Sequence, residues 1–263
     1  MTPALTIADK LREARVRSSL SMNDLAKLSG VSQPTVSRVE SGQSQPSAAT
    51  YLALLQAAGF YDDGTQVVPV SRPSATWTAR WLLGDLDDKP EDADRWVGGW
   101  QRIGLVGDDL AVLDVEGLLF RAGRSAVLTR RPGSFDVQNP QQWSAREVAA
   151  RLRTAGVEHA VTGDEALEQM GAPLIPVAPV VYVSDMRAAI AALGTAPCLP
   201  ADWRRRKVSL VPFDTASETG RWQADGGTWF ASQVQVVLDG YGGYGRMVEQ
   251  TQALVRWLEE ERR

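Results

Sequence analysis

MNDLAKLSGVSQPTVSRVES, residues 22–41, decides how the first part of this chain is read. Ala26, Gly30 and Val36 sit four and six residues apart, the spacing of two short helices that cross at a steep angle around a tight turn. Ala26 is small where the backbones approach, Gly30 tolerates the positive φ of the turn, and Val36 points back into the shared core. The flanking residues agree. Ser21 with Asp24 three positions on forms a capping box. Ser32 is placed to cap the second helix, Pro34 falls in its first turn, and Gly42 follows as a left-handed stop. Ahead of the pair, Ile7, Leu11 and Ala14 mark a helix from Ile7 to Arg17. Behind it, Ser47 opens a helix carrying Tyr51, Leu52, Leu54 and Leu55 that ends at Gly59. Residues 1–61 therefore form a compact all-α helix-turn-helix module.

The stretch LREARVRSSLSMNDLAKLSGVSQPTVSRVESGQSQPS resembles the lambda-repressor/Cro-like (XRE) DNA-binding domain, over residues 5–60, and Val31 to Ser47 is its most specific part. The resemblance implies that the second helix of the pair enters the major groove and reads base edges with its early residues. Gln33, Thr35, Ser37 and Arg38 then face DNA. Gln33 and Arg38 are the best readers, since glutamine pairs bidentately with adenine and arginine with guanine. Ser21, Met22 and Asn23 at the start of the first helix, with Ser32 and the loop residues Ser41, Gln43 and Ser44, complete the contact set. Pro34 occupies a position where relatives often carry a polar reader, so that contact is apolar or missing.

Charge supports a division of labour. The formal net charge is −4, yet residues 1–61 carry +2, which leaves −6 on the remainder. A weakly basic module makes few phosphate contacts, so a single copy binds DNA modestly and with salt sensitivity. A homodimer on a two-fold double-stranded operator is the expected remedy. The 263 residues suffice for this module plus a larger domain with its own core. No long apolar run signals a membrane span, and MTPALTIADKLREAR lacks the apolar core of a signal peptide. The single cysteine, Cys198, excludes an intramolecular disulfide and fits the cytoplasm. With one histidine, His159, beside it, a structural zinc site is not expected, and the pair reads as a packed thiol and a surface or hydrogen-bonded imidazole.

Residues 62–75, DDGTQVVPVSRPSA, read as a linker, because Asp62, Asp63 and Gly64 break the helix and Pro69 and Pro73 favour extended chain. Residues 76–263 then mix elements. Leu110–Val115 and Leu118–Phe120 suggest a hairpin and Ser125–Arg130 a strand. A helix from Ser144 to Ala155 follows, then strand His159–Thr162, helix Asp164–Met170, strand Val177–Val183 and helix Asp185–Leu193. Val208–Val211 and Thr228–Ala231 are further strands, and helices Ser232–Asp239 and Arg246–Glu261 close the chain. The order βαβα argues for an α/β layer arrangement, and the whole chain is α+β.

Several patterns there imitate chemistry. GYGGYG, Gly240 to Gly245, has the spelling of a dinucleotide loop, but a helix precedes it where a strand is required, so it reads as a helix-to-helix turn. The basic run Arg204–Lys207 reads as a solvated strand entry or, alternatively, as a grip on phosphate or an acidic partner. Trp77, Trp81, Trp96 and Trp100, among nine tryptophans, pair four apart on helix faces and suit a core or, alternatively, a dimer or partner surface. VTGDEAL, Val161 to Leu167, resembles the strand-Gly-helix opening of nucleotidyltransferase folds, whose metal needs paired acids on the next strand. That strand, VVYVSD, offers Asp185 alone, so such a domain would be degenerate. No other catalytic constellation, metal set or cofactor loop is present, and no enzyme is expected.

The order VTGDEAL, VYVSD, VSLVPFD and TWFASQVQVVLDGYGGYGRMVEQTQALVRWL also resembles the C-terminal half of abortive-infection (AbiEi-like) antitoxins, over residues 144–260. That resemblance implies an autorepressor of its own operon with a toxin partner, although those proteins carry a winged helix at the front. The sequence thus leaves three readings: a DNA-binding regulator, a regulator whose large domain senses a nucleotide or other small molecule, and a DNA-tethered nucleotidyltransferase-like enzyme.

Overall fold

The computed structural model describes residues 5–18, 20–173, 178–198, 206–224, 226–243 and 246–261. Its first four helices are α1 (Ile7–Arg17), α2 (Met22–Ser29), α3 (Gln33–Glu40) and α4 (Ala48–Ala58), at the boundaries the caps predict. Ser21 Oγ accepts from Asp24 N at 3.0 Å, and the Asp24 carboxylate accepts from Ser21 N at 3.4 Å. Gly30 turns the chain at φ +73° with open space where a Cβ would sit, so glycine is needed there for its backbone alone. Leu11, Ala14, Leu25, Val36, Val39, Leu54 and Leu55 form the module's core. One expectation fails. Ser32 does not cap α3 with its side chain; its hydroxyl is drawn to the Thr35 hydroxyl at 2.8 Å instead. Leu52 is 53% exposed, because the helical period turns it away from Leu54 and Leu55.

The segment read as a linker is folded onto the module. β1 (Phe60–Asp62) and β2 (Val67–Pro69) pair antiparallel, with Phe60 opposite Pro69. Phe60 and Val67 join the helical core. The acidic pair that breaks α4 also builds the turn: the Asp63 carboxylate accepts from Thr65 N and Gln66 N, both at 2.8 Å. These hydrogen bonds hold the Asp63 carboxyl down at about 2. Asp62 accepts from Lys10 Nζ at 2.8 and 3.0 Å and from the Tyr51 hydroxyl at 2.9 Å. Burial alone would raise the Asp62 carboxyl; hydrogen bonds from Lys10, Gly64 N and Tyr51 outweigh it and bring it below the usual range.

The large domain begins with α5 (Ser74–Leu82), α6 (Ala93–Arg102) and α7 (Val115–Ser125), followed by a 3-10 turn at Leu128–Arg130. The hairpin and strand expected over residues 110–130 are therefore replaced by a helix and a turn. Leu118, Leu119 and Ala122 are buried at helical spacing, facing α12 (described below). Next come β3 (Phe135–Gln138), which the sequence reading omits, then α8 (Ala145–Thr154), β4 (His159–Thr162), α9 (Asp164–Gln169), β5 (Val180–Val183) and α10 (Met186–Leu193). β6 (Lys207–Pro212), α11 (Thr215–Glu218), β7 (Trp222–Gln223), β8 (Trp229–Phe230), α12 (Gln233–Gly242) and α13 (Arg246–Glu261) complete the chain. One six-stranded sheet results, in the order β3-β6-β5-β4-β8-β7. β4 and β5 run antiparallel although a helix joins them, while β5–β6 and β4–β8 are parallel. The α/β crossover expected at β4-α9-β5 is thus absent: α9 packs on α12 and α13 rather than carrying the chain back along the sheet. The chain as a whole is α+β, a helical helix-turn-helix module followed by a mixed α/β region.

α7 and α12 touch through glycine. A Cβ on Gly123 would lie 2.4 Å from Leu238 O and 2.6 Å from Tyr241 Cβ. Gly123→Ala should therefore destabilise the large domain by about 1–3 kcal/mol, read as a lower denaturation midpoint. Gly240 and Gly242 of the GYGGYG stretch lie inside α12, and residues 244–245 fall outside the described residues. A Cβ on Gly240 would meet Thr251 Oγ1 of α13 at 2.1 Å, so this glycine serves helix packing. Residues 204–205 of the basic run are likewise outside the description, and Lys207 pairs with Asp136 on β3 at 2.6 Å. Trp100 is buried and stacks on Trp96 at 5.7 Å between ring centroids; Trp77 and Trp81 are half-buried. Among the described residues no helix is long and apolar enough to cross a membrane.

Candidate nucleic-acid interface

The sequence of α3 separates two faces. Val36, Val39 and Glu40 are buried, whereas Gln33, Pro34 and Arg38 are exposed, and Thr35 and Ser37 lie between. Gln33 and Arg38 thus stand free on the outer side of the second helix, where base reading requires them. Arg38 Nε donates to the Pro34 carbonyl at 3.3 Å, which leaves its two terminal nitrogens without a hydrogen bond among the described residues. Thr35 shares its hydroxyl with Ser32. Past the end of α3, Gly42 adopts φ +74°. The amides of Gln43 and Ser44 fold back to the Arg38 carbonyl at 2.9 and 3.2 Å. This fixes the loop with the side chains of Ser41 and Gln43 exposed and Ser44 half-buried.

At the start of α2, Ser21 and Asn23 are exposed. Met22 packs against the module core and so presents less surface to a ligand than the sequence reading assumed.

Sequence reasoning missed what holds α3 in place. Glu40 is 2% exposed. Arg15 grips it from α1 through Nε–Oε1 at 2.7 Å and Nη2–Oε2 at 2.8 Å, a fork-to-fork pair. Arg12 Nη2 donates to the Glu40 carbonyl at 2.6 Å. The hydrogen bond to Glu40 raises the Arg15 guanidinium above its ordinary value. The signal was available: Glu40 lies four residues after Val36, an acidic side chain at a core position of α3.

The module is tied to the large domain beside this face. α2 packs on α6, where a Cβ on Gly99 would sit 3.7 Å from Leu28 Cδ2. Arg121 of α7 lies 3.2 Å from the Asp24 carboxylate, the same group that closes the α2 capping box.

The remaining candidates serve structure. His159 is 4% exposed and donates from Nδ1 to the Val157 carbonyl at 2.8 Å; burial lowers its pKa. Asp185 caps α10 by accepting from Ala188 N at 2.9 Å. Among the described residues no group of three or more His, Cys, Asp or Glu is arranged to hold a metal.

Residues 6–67 match a family model described as a helix-turn-helix domain, a span that runs from the N-cap of α1 to the first residue of β2. The chain thus carries a helix-turn-helix domain of the kind found in DNA-binding regulators. Comparison with curated proteins and with solved structures gives no match.

Proposed function

We propose that this protein is a sequence-specific, DNA-binding transcriptional regulator of the lambda-repressor-like (XRE) type, acting in the cytoplasm as a homodimer. One observation carries the reading: α3 presents Gln33 and Arg38 outward while a buried Glu40–Arg15 pair anchors its far end to α1. That rigidity is what a recognition helix needs, because base readout depends on side chains held in fixed register with the groove. Dimerisation follows from the module's charge of +2, too small for tight binding by one copy. The finer role, an autorepressor with an antitoxin-like large domain and a toxin partner, rests on the sequence pattern of residues 144–260. A reporter driven by the protein's own promoter should be silenced by the intact chain if that role holds, and unaffected if it does not.

The direct test is Arg38→Ala. It should weaken binding to the preferred site by about 1–3 kcal/mol and relax the base preference at one position of each half-site. An equal loss on every sequence, with no change in preference, would mark Arg38 as a phosphate contact and remove it from base reading.

A further inference from the structure

Where the module meets the large domain, five arginines gather around a single paired carboxylate, that of Asp24. Beside the α2–α6 contact lies a cleft of about 260 Å³. The module contributes Ser29 and Gln56 to one wall, and the large domain supplies Arg72, Arg95, Arg102, Arg121 and Arg124. No Asp or Glu lines it. Among the described residues the only ion pair these five arginines make is that between Arg121 and Asp24. Arg124 donates from Nη2 to the Arg17 carbonyl at 2.8 Å and from Nη1 to the Gly243 carbonyl at 3.3 Å, while Arg121 Nη1 is buried with no hydrogen-bond partner. Burial lowers the guanidinium pKa of Arg72, Arg121 and Arg124, and the neighbouring Arg95 and Arg17 push Arg72 and Arg124 the same way. Like charges along one wall repel one another, and an anion among them relieves that repulsion.

We propose that this cleft binds a small phosphate-bearing anion of the pyrophosphate class. Several guanidinium forks converging on one space suit a ligand with many oxygens and more than one negative charge better than a single carboxylate. The volume admits pyrophosphate or a small organic phosphate and is too small for a folded partner. The stacked Trp96 and Trp100 line the same space and give an organic portion an apolar wall. No residue of α3 contributes to the lining, so the cleft is separate from the face that reads DNA. Because both domains form its walls, an occupant that favours one arrangement of the seam changes DNA affinity, and DNA changes its affinity by the same factor. That last consequence rests on the DNA-binding reading; anion binding itself does not.

Calorimetric titration of the full chain with inorganic pyrophosphate at low ionic strength tests the site. One binding site per chain is expected. The double substitution Arg95→Gln with Arg102→Gln, at two exposed positions, should lower affinity at least tenfold without changing the melting curve. Arg187→Gln, at an exposed position on α10 outside the cleft, should leave it within twofold. Absence of binding overturns the proposal, as does an equal loss in the Arg187 control. So does a third outcome: pyrophosphate fails to bind while the double variant binds every DNA more weakly, which would make these arginines phosphate-backbone contacts. Pyrophosphate binding that persists where no DNA sequence is preferred would sink the regulator reading and leave the site standing.

Discussion

Glu40→Ala should destabilise the helix-turn-helix module by about 3–5 kcal/mol and abolish DNA binding. The Glu40 side chain is 2% exposed, and its partner Arg15 is 16% exposed. Removing the carboxylate leaves Arg15 with the Leu20 carbonyl at 3.0 Å as its remaining acceptor, and partial hydration of its edge keeps the cost toward the lower bound. Small domains hold about 5–15 kcal/mol in total, so the loss takes much of what keeps α3 docked on α1. Denaturant unfolding of the full chain, followed by a probe placed in the module, should show the module melting first. Glu40→Gln keeps the shape and part of the hydrogen bonding and should lie between the two. Arg38→Ala, by contrast, should leave the unfolding curve unchanged. Comparing these variants separates loss of the recognition surface from loss of a single contact.

Asp239→Ala should be as damaging in the large domain, again by about 3–5 kcal/mol. Asp239 is fully buried at 0% exposure and joins four side chains. It accepts from Arg131 Nη2 and Thr162 Oγ1 at 2.7 Å, and from the Tyr182 hydroxyl and Gln235 Nε2 at 2.8 Å. These partners come from the turn after α7, from β4 and β5, and from α12 itself, so one carboxylate fastens α12 to two neighbouring strands of the sheet and to the chain that follows α7. Arg131 is 4% exposed and also bonds the Tyr182 hydroxyl. Burial opposes its charge, but the surrounding oxygens, led by Tyr182 and then Asp239, raise the guanidinium above its ordinary value. Without Asp239 the cation is stranded in the interior. The double substitution Arg131→Met with Asp239→Leu removes both charges and should recover part of the lost stability, because replacing a buried pair with apolar groups is far milder than breaking it. If the double variant is as unstable as Asp239→Ala, the loss comes from packing and not from an uncompensated charge.

The two halves of the chain differ in how much their residues disclose. The helix-turn-helix module is legible because its determinants are local: a capping box across three residues, a left-handed glycine, and apolar positions at helical spacing. What escapes is nonlocal. The strand at Val67–Pro69 is hidden because its partner, Phe60–Asp62, follows immediately after α4, and the same Asp63–Gly64 pair that breaks a helix also makes the turn. α7 was hidden by its glycines, which lower helix propensity and read as hairpin punctuation. Gly123 is there because α12 approaches too closely for a side chain, a fact written in neither helix alone. Likewise β4 and β5 were recognised as strands, while their antiparallel pairing depends on where α9 packs. The site divides in the same way. Gln33 and Arg38 follow from the motif, whereas the Arg15–Glu40 anchor and the five arginines of the seam, spread from residue 72 to residue 124, come together only through the fold.

The central claim is that α3 reads DNA sequence. Unbiased selection from a random duplex library measures this directly, using the intact chain alongside a Gln33→Ala, Arg38→Ala double variant of equal stability. The intact chain should enrich one motif, arranged as an inverted repeat with half-site centres about one helical turn apart. The double variant should enrich a motif degraded at the bases those two side chains read. Failure of the intact chain to enrich any sequence, or recovery of the same undegraded motif by the double variant, would contradict the account.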